Sequence, residues 1–144
     1  MRNDIQLDGL DDANNRTALM VAAFYGKTKC AEILAEKEAK MQDEDKMTAL
    51  MFAAISGNLG CVEILTPLEK GMKDMGGWTA LMQAAWNGHV DCVASLASLE
   101  KDMKSNDGRI ALTYAAENGH LECVKILARL ETGSKYIDGK TALY

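Results

Sequence analysis

The sequence repeats itself every 31 residues, and that period limits the fold more than any other feature. Thr-Ala-Leu begins at Thr17, Thr48, Thr79 and Thr141, and Ile110-Ala111-Leu112 fills the remaining slot. Paired alanines keep the step at Ala22-Ala23, Ala53-Ala54, Ala84-Ala85 and Ala115-Ala116. So do Gly26, Gly57, Gly88 and Gly119, then Cys30, Cys61, Cys92 and Cys123, and then Leu34, Leu65, Leu96 and Leu127. Regularity of this kind, without an insertion, marks stacked copies of one structural unit. The units are read as 14–44, 45–75, 76–106 and 107–137, with 138–144 beginning a fifth. Residues 1–13 carry Ile5, Leu7 and Leu10 and are read as the tail of a preceding unit or an N-terminal cap.

Within a unit the residues spell helix, turn, helix. In the fourth, Asp107-Gly108 is a turn that leads into a short helix with a small packing face of Ala111, Leu112, Ala115 and Ala116. Thr17, Thr48 and Thr79 stand where an N-cap hydroxyl would accept from the first free amides. Gly119 ends that helix, because glycine enters the left-handed region without strain. The second helix shows Cys123, Val124, Ile126, Leu127 and Leu130, one apolar face at helical spacing. Unit two repeats it as Cys61, Val62, Ile64, Leu65 and Leu68, and its Pro67 is expected to cut or bend the helix near its end. Unit three places Ser95 in this face, a weaker core residue able to bond back onto its own helix. The few aliphatics of one unit cannot offset the entropy of ordering 31 residues, so stacking must bury both faces of each unit. The predicted fold class is all-α, a one-dimensional solenoid.

Composition narrows the functional classes. The chain has 144 residues, a formal charge of −5 and 48 % apolar residues, too apolar for a disordered chain. An acidic balance offers nothing to a phosphate backbone, so nucleic acid is not expected as a direct partner. The most apolar stretch, Ala18 to Phe24, is far too short for membrane insertion. The first residues lack the apolar run of a secretory signal, and four cysteines without an export signal predict a reducing, cytoplasmic setting with free thiols.

The cysteines also invite a metal or disulfide reading, since His89-Cys92 and His120-Cys123 are spaced i, i+3. Equivalent cysteines on packed helices about 8–10 Å apart are too distant for a disulfide, which needs Cα atoms within about 7 Å. They read as small core residues. The histidines follow the turn glycine, where Lys27 and Asn58 stand in other units, and read as turn residues. The acidic run Asp43-Glu44-Asp45 reads as a solvated turn. No Ser or Cys has a His and carboxylate set apart from the repeat pattern, and no glycine-rich phosphate loop occurs. The chain is therefore read as no enzyme, with no cofactor and no metal.

The unit-four stretch DGRIALTYAAENGHLECVKILARLE resembles the ankyrin repeat, whose pattern runs D-G-x-T-P-L-H-x-A-A-x-x-G-H-x-x-x-V-x-x-L-L. The resemblance spans residues 14 to 137 and implies an ankyrin-repeat solenoid with hairpin-like finger loops. Three departures stand out. The Pro of T-P-L-H is Ala in every unit, and its His is Met20, Met51, Met82 and then Thr113. The customary Thr–His hydrogen bond is thus absent, which lowers the expected stability of each repeat. A step of 31 residues, against about 33 in the consensus, shortens the stretch after Met41, Met72 and Met103, so the fingers should be short. The short, cysteine-bearing repeat is similar to large ankyrin families of flagellate protists, in which arrays stand alone or trail a kinase-like domain. Both ends lack a polar cap, and the chain is read as a fragment of a longer array or one closed by self-association.

The resemblance also says which positions face the concave groove: the residue after the turn glycine and the two before the glycine that ends the first helix. The first set is Arg16, Met47, Trp78, Arg109 and Lys140; the second is Phe24-Tyr25, Ile55-Ser56, Trp86-Asn87 and Glu117-Asn118. Solvent would select polar residues there, yet the first three units place Phe, Tyr, Met, Ile and two Trp. Clustered exposed aromatics mark interaction surfaces, and Trp and Tyr dominate hot spots. The expected function is a non-catalytic scaffold that binds another protein through Arg16, Phe24, Tyr25, Met47, Ile55, Trp78, Trp86, Asn87, Arg109 and Glu117. The competing expectation is a regulatory or targeting fragment of a larger protein, such as a kinase-associated ankyrin array, and the cytoplasmic setting leaves room for association with the cytoskeleton.

Overall fold

The computed structural model describes residues 14–132. Readings that concern 1–13, 138–144 and Lys140 lie outside the described residues. Four helix pairs follow one another: α1 (Ala18–Tyr25) with α2 (Thr28–Glu38), α3 (Ala49–Ser56) with α4 (Leu59–Glu69), α5 (Ala80–Asn87) with α6 (Val90–Glu100), and α7 (Ala111–Glu117) with α8 (Leu121–Leu127). A π-helical turn, Ala128–Thr132, extends α8. The first helices stack α1 on α3 on α5 on α7, and the second helices form a parallel row behind them. Among the described residues there are no strands.

The first helices are short and apolar because neighbours cover them on nearly all sides. In α3, Leu50, Met51, Phe52, Ala53 and Ala54 are all buried. The alanines leave the room that lets successive backbones come close. Thr17, Thr48 and Thr79 act as N-caps, accepting from the amides of Met20, Met51 and Met82 at 3.1, 3.3 and 3.3 Å. Met20 also answers the cap, its Sδ accepting from the Thr17 amide at 3.4 Å. Gly26, Gly57 and Gly88 close these helices at φ of 72°, 76° and 75°. A Cβ on Gly57 or Gly88 would meet the ring of the next unit's histidine at 2.6 Å.

The units are joined by buried glutamates that sequence reading passed over. Glu38, Glu69, Glu100 and Glu131 keep the 31-residue step at the ends of the second helices. Glu69, Glu100 and Glu131 are each only 1 % exposed. Through Oε1 each accepts from the amide of its own unit's first helix: Leu19 to Glu38 and Leu50 to Glu69 at 2.8 Å, Leu81 to Glu100 and Leu112 to Glu131 at 2.9 Å. Through Oε2 the last three accept from the turn of the preceding unit: Lys40 at 2.8 Å, Gly71 at 2.7 Å and Asp102 at 3.1 Å. The hydroxyls of Thr48 and Thr79 add bonds to Glu69 and Glu100. The threonine that lacks its histidine partner therefore finds a glutamate instead. Burial pushes the three buried carboxyls up from the ordinary value of 4.5, while these donors pull them partly back.

Three local expectations need correction. Pro67 does not shorten its helix: α4 runs 11 residues, as do α2 and α6. The ring lies on the exposed face two residues before the helix end, where it removes one N–H from the ladder and little else. Cys61, Cys92 and Cys123 are buried, but Cys30 is exposed. Cys61 packs near Thr28 of the preceding unit, whereas Cys30 belongs to the first described helix pair. The acidic run is not wholly solvated either. Glu44 and Asp45 are exposed, but Asp43 is 5 % exposed and holds its own turn together.

The finger loops are short, as their length predicted. In each, one amide bonds across the turn, from Asp43 to the Met47 carbonyl, Asp74 to Trp78 and Ser105 to Arg109. Successive tips are tied by the amides of Glu44, Met75 and Asn106 donating to the carbonyls of Asn14, Asp45 and Gly76, each at 2.9 Å.

Removing Glu100 leaves the buried Leu81 amide and the turn amide of Gly71 without their acceptor, so Glu100→Ala should cost about 2–4 kcal/mol in urea unfolding. Glu100→Gln, which keeps an acceptor oxygen, should cost less. A carboxyl that titrates higher in the fold than in the unfolded chain costs stability as pH rises through the window above 4.5. The native array should therefore gain stability relative to Glu100→Gln as pH falls from 7 toward 4.5, and a parallel pH dependence of the two would refute this account.

Candidate protein-binding surface

Trp78 sits one residue before the N-cap Thr79, and Trp86 is the penultimate residue of α5. The two rings meet edge to face, centroids 5.7 Å apart at 68°. Tyr114 of α7 backs both, at 4.1 Å from Trp78 and 6.0 Å from Trp86. Trp78 is half-buried against the core, and Trp86 is 38 % exposed. Arg109 lies 5.9 Å over the Tyr114 ring and pairs with Glu117 at 3.2 Å. Four of the ten residues singled out from sequence, Trp78, Trp86, Arg109 and Glu117, thus converge on one cluster.

A second cluster forms at the other end of the described array. Phe24 contacts Tyr25 at 5.0 Å and Phe52 at 6.3 Å. The Arg16 guanidinium lies 5.5 Å over the Phe52 ring, and its Nε donates to Asp43 Oδ2 at 3.0 Å. Arg16 is thereby occupied, with 12 % of its side chain exposed. Met47 and Ile55 lie half-buried against the core between the two clusters. Asn87 turns back to the Gln83 carbonyl of its own helix at 2.8 Å.

Sequence reading missed Phe52, Gln83 and Tyr114, which occupy one shared position of the first helix. The available signal was their variation from unit to unit, since a position that only packs would repeat as the alanines do. It also missed the finger position of Asp43, Asp74 and Ser105. Oδ1 of Asp74 accepts from the amides of Gly76 and Trp78, each at 2.9 Å, and Oδ2 from Gln83 Nε2 at 3.2 Å. This carboxylate, Gly76, Trp78, Gln83 and Trp86 line an open cleft of about 340 Å³.

The histidines behave as turn residues. His89 Nε2 bonds the Ile55 carbonyl and His120 Nε2 the Trp86 carbonyl, each at 2.9 Å, so both tie the end of the preceding unit's first helix. Asn58 does the same with the Ala23 and Phe24 carbonyls. Burial raises the thiols of Cys61 and Cys123, and that of Cys92 is pushed up to about 11 by burial with Asp91 and Glu63 nearby. Such thiols stay protonated at neutral pH and make poor nucleophiles and metal ligands. Among the described residues no cluster of three or more His, Cys, Asp or Glu could hold a metal, and no helix is long and apolar enough to cross a membrane.

The sequence model of the family described as ankyrin repeats (three copies) matches residues 2–74, 37–107 and 96–144. The chain belongs to the ankyrin-repeat family. A search of curated proteins found no match. Ankyrin repeats are generally protein–protein interaction modules, and proteins built from them are typically non-enzymatic scaffolds. The variable positions of this ankyrin array carry its aromatic clusters, while the repeated ones build the core.

The two tryptophans should part company on substitution. Trp78→Ala removes a ring packed against Tyr114 and the core and should cost about 2–3 kcal/mol. Trp86→Ala, at a more exposed ring, should cost at most about 1 kcal/mol. Urea denaturation of the two variants checks this, and equal losses would place both rings in the core.

Proposed function

We propose that this ankyrin array is a non-catalytic scaffold that holds a protein partner on its concave face, centred on Trp78 and Trp86, with the buried Tyr114 ring backing them. The observation that carries the reading is Trp86, a large ring left 38 % exposed beside an open cleft. A residue needed only for packing would be covered, and exposed rings that share a cleft suit a hot spot. Arg109 and Glu117 border the rings and supply a polar rim. The backbone under the site is tied by the glutamates and by the finger-to-finger bonds, so the surface is preformed and binding costs little ordering on this side. A cytoplasmic setting belongs to the same proposal and agrees with the four free thiols.

The test is a lysate pull-down with the full chain beside Trp86→Ala, both checked for helix content by circular dichroism. Truncating a hot spot costs at least about 2 kcal/mol, so specifically retained proteins should fall by more than about tenfold with the variant. Retention of the same proteins in the same amounts by both would remove the site from this surface.

A further inference from the structure

Two finger aspartates occupy the same place in successive repeats and are filled differently. Asp43 Oδ1 accepts from the amides of Asp45 and Met47, and Asp74 Oδ1 from those of Gly76 and Trp78. On Asp43, Oδ2 is taken by the Arg16 guanidinium, which also lies 5.5 Å over the Phe52 ring. One repeat later the residue in Arg16's position is Met47, which brings no charge to Asp74. Gln83, in Phe52's position, reaches Asp74 Oδ2 with one N–H at 3.2 Å. A carboxylate has about four acceptor sites, and Asp74 has three in use.

We propose that the Asp74–Trp78–Trp86 cleft receives a basic side chain, arginine or lysine, from the partner, as Asp43 receives Arg16 from within the chain. The inference rests on the concave-face reading above and gives it a chemistry. The five residues that line the cleft include a carboxylate and no cation. The aromatic wall is supplied differently from that over Arg16, by Trp78 and Trp86 of the same unit, set edge to face at 5.7 Å. Indole faces attract cations more strongly than phenyl or phenol rings. Gly76 keeps the space open between acid and ring: a Cβ there would lie 3.5 Å from Trp78 and 3.6 Å from the Asp74 carboxylate. Arg109, the cation over the adjoining Tyr114 ring, is already paired with Glu117. An array of net charge −5 adds a general attraction for a basic segment.

The experiment selects 12-residue peptides from a random displayed library on the full chain, then measures binding of the best peptide to the native chain, Asp74→Asn and Trp86→Leu. Asparagine keeps the oxygen that accepts the two turn amides, and circular dichroism with urea unfolding confirms that both variants fold. The expected result is enrichment of Arg or Lys at one fixed position, with binding weakened roughly three- to tenfold by either variant. Citrulline in place of that arginine should weaken binding by a similar factor, and lysine should largely preserve it. Peptides without a common basic residue, or indifferent to Asp74→Asn, overturn the cation inference; if Trp86→Leu still weakens them, the concave-face reading survives. Peptides indifferent to both variants, or no selected peptides at all, overturn both.

Discussion

A carboxylate buried between two backbones sets the geometry of the whole array. Each of Glu69, Glu100 and Glu131 spans from the first helix of its own unit to the turn that ends the preceding one. Hydrophobic contact alone would let stacked alanine-rich helices slide, because apolar attraction has no direction. Two amides on one carboxylate define a distance and an angle, and the desolvation they offset makes any slip costly. The same glutamate takes the hydroxyl of the threonine cap at Thr48 and Thr79. Cap, clamp and preceding turn therefore form one network in units two and three, and in unit four Ile110 leaves the clamp without its cap hydroxyl.

The proposed site inherits its order from that network. Trp78 precedes the cap Thr79 directly, and the Glu100 clamp grips the amide of Leu81 just beyond. The ring is thus presented from a point where the backbone is held on both sides. Below it, Asp74 binds the Trp78 amide and shapes the finger from within. The inner surface varies where the core does not. Arg16 gives way to Met47, Trp78 and Arg109, and Phe52 to Gln83 and Tyr114, on a scaffold that scarcely changes. A binding module needs that division of labour, because recognition then evolves without disturbing the stack.

Much of the fold was legible because stacked units must repeat what they bury. The threonine caps and left-handed glycines start and end each unit's own first helix and the alanine pairs let it meet the next, and all recur at 31 residues save for Ile110 in the threonine slot. The candidate residues were less legible. Trp78 and Trp86 stood out as large rings at positions expected to face solvent, but their partner Tyr114 sits inside α7 at a helix position that looked like filler. Arg16 read as a partner-binding residue, and the structure shows it held by Asp43, 27 residues away. The glutamate clamp kept perfect period yet escaped notice, since a glutamate near a helix end usually signals solvent.

The sequence by itself determined the unit, its helices, their caps and turns, and the positions free to vary, because periodic burial leaves periodic apolar residues and backbone turns demand particular side chains. Only the tertiary structure decided which polar groups are buried and whom they meet. A carboxylate on a helix end looks the same in sequence whether it faces water or two amides of neighbouring units. Its role depends on what the packed neighbours bring within hydrogen-bond reach.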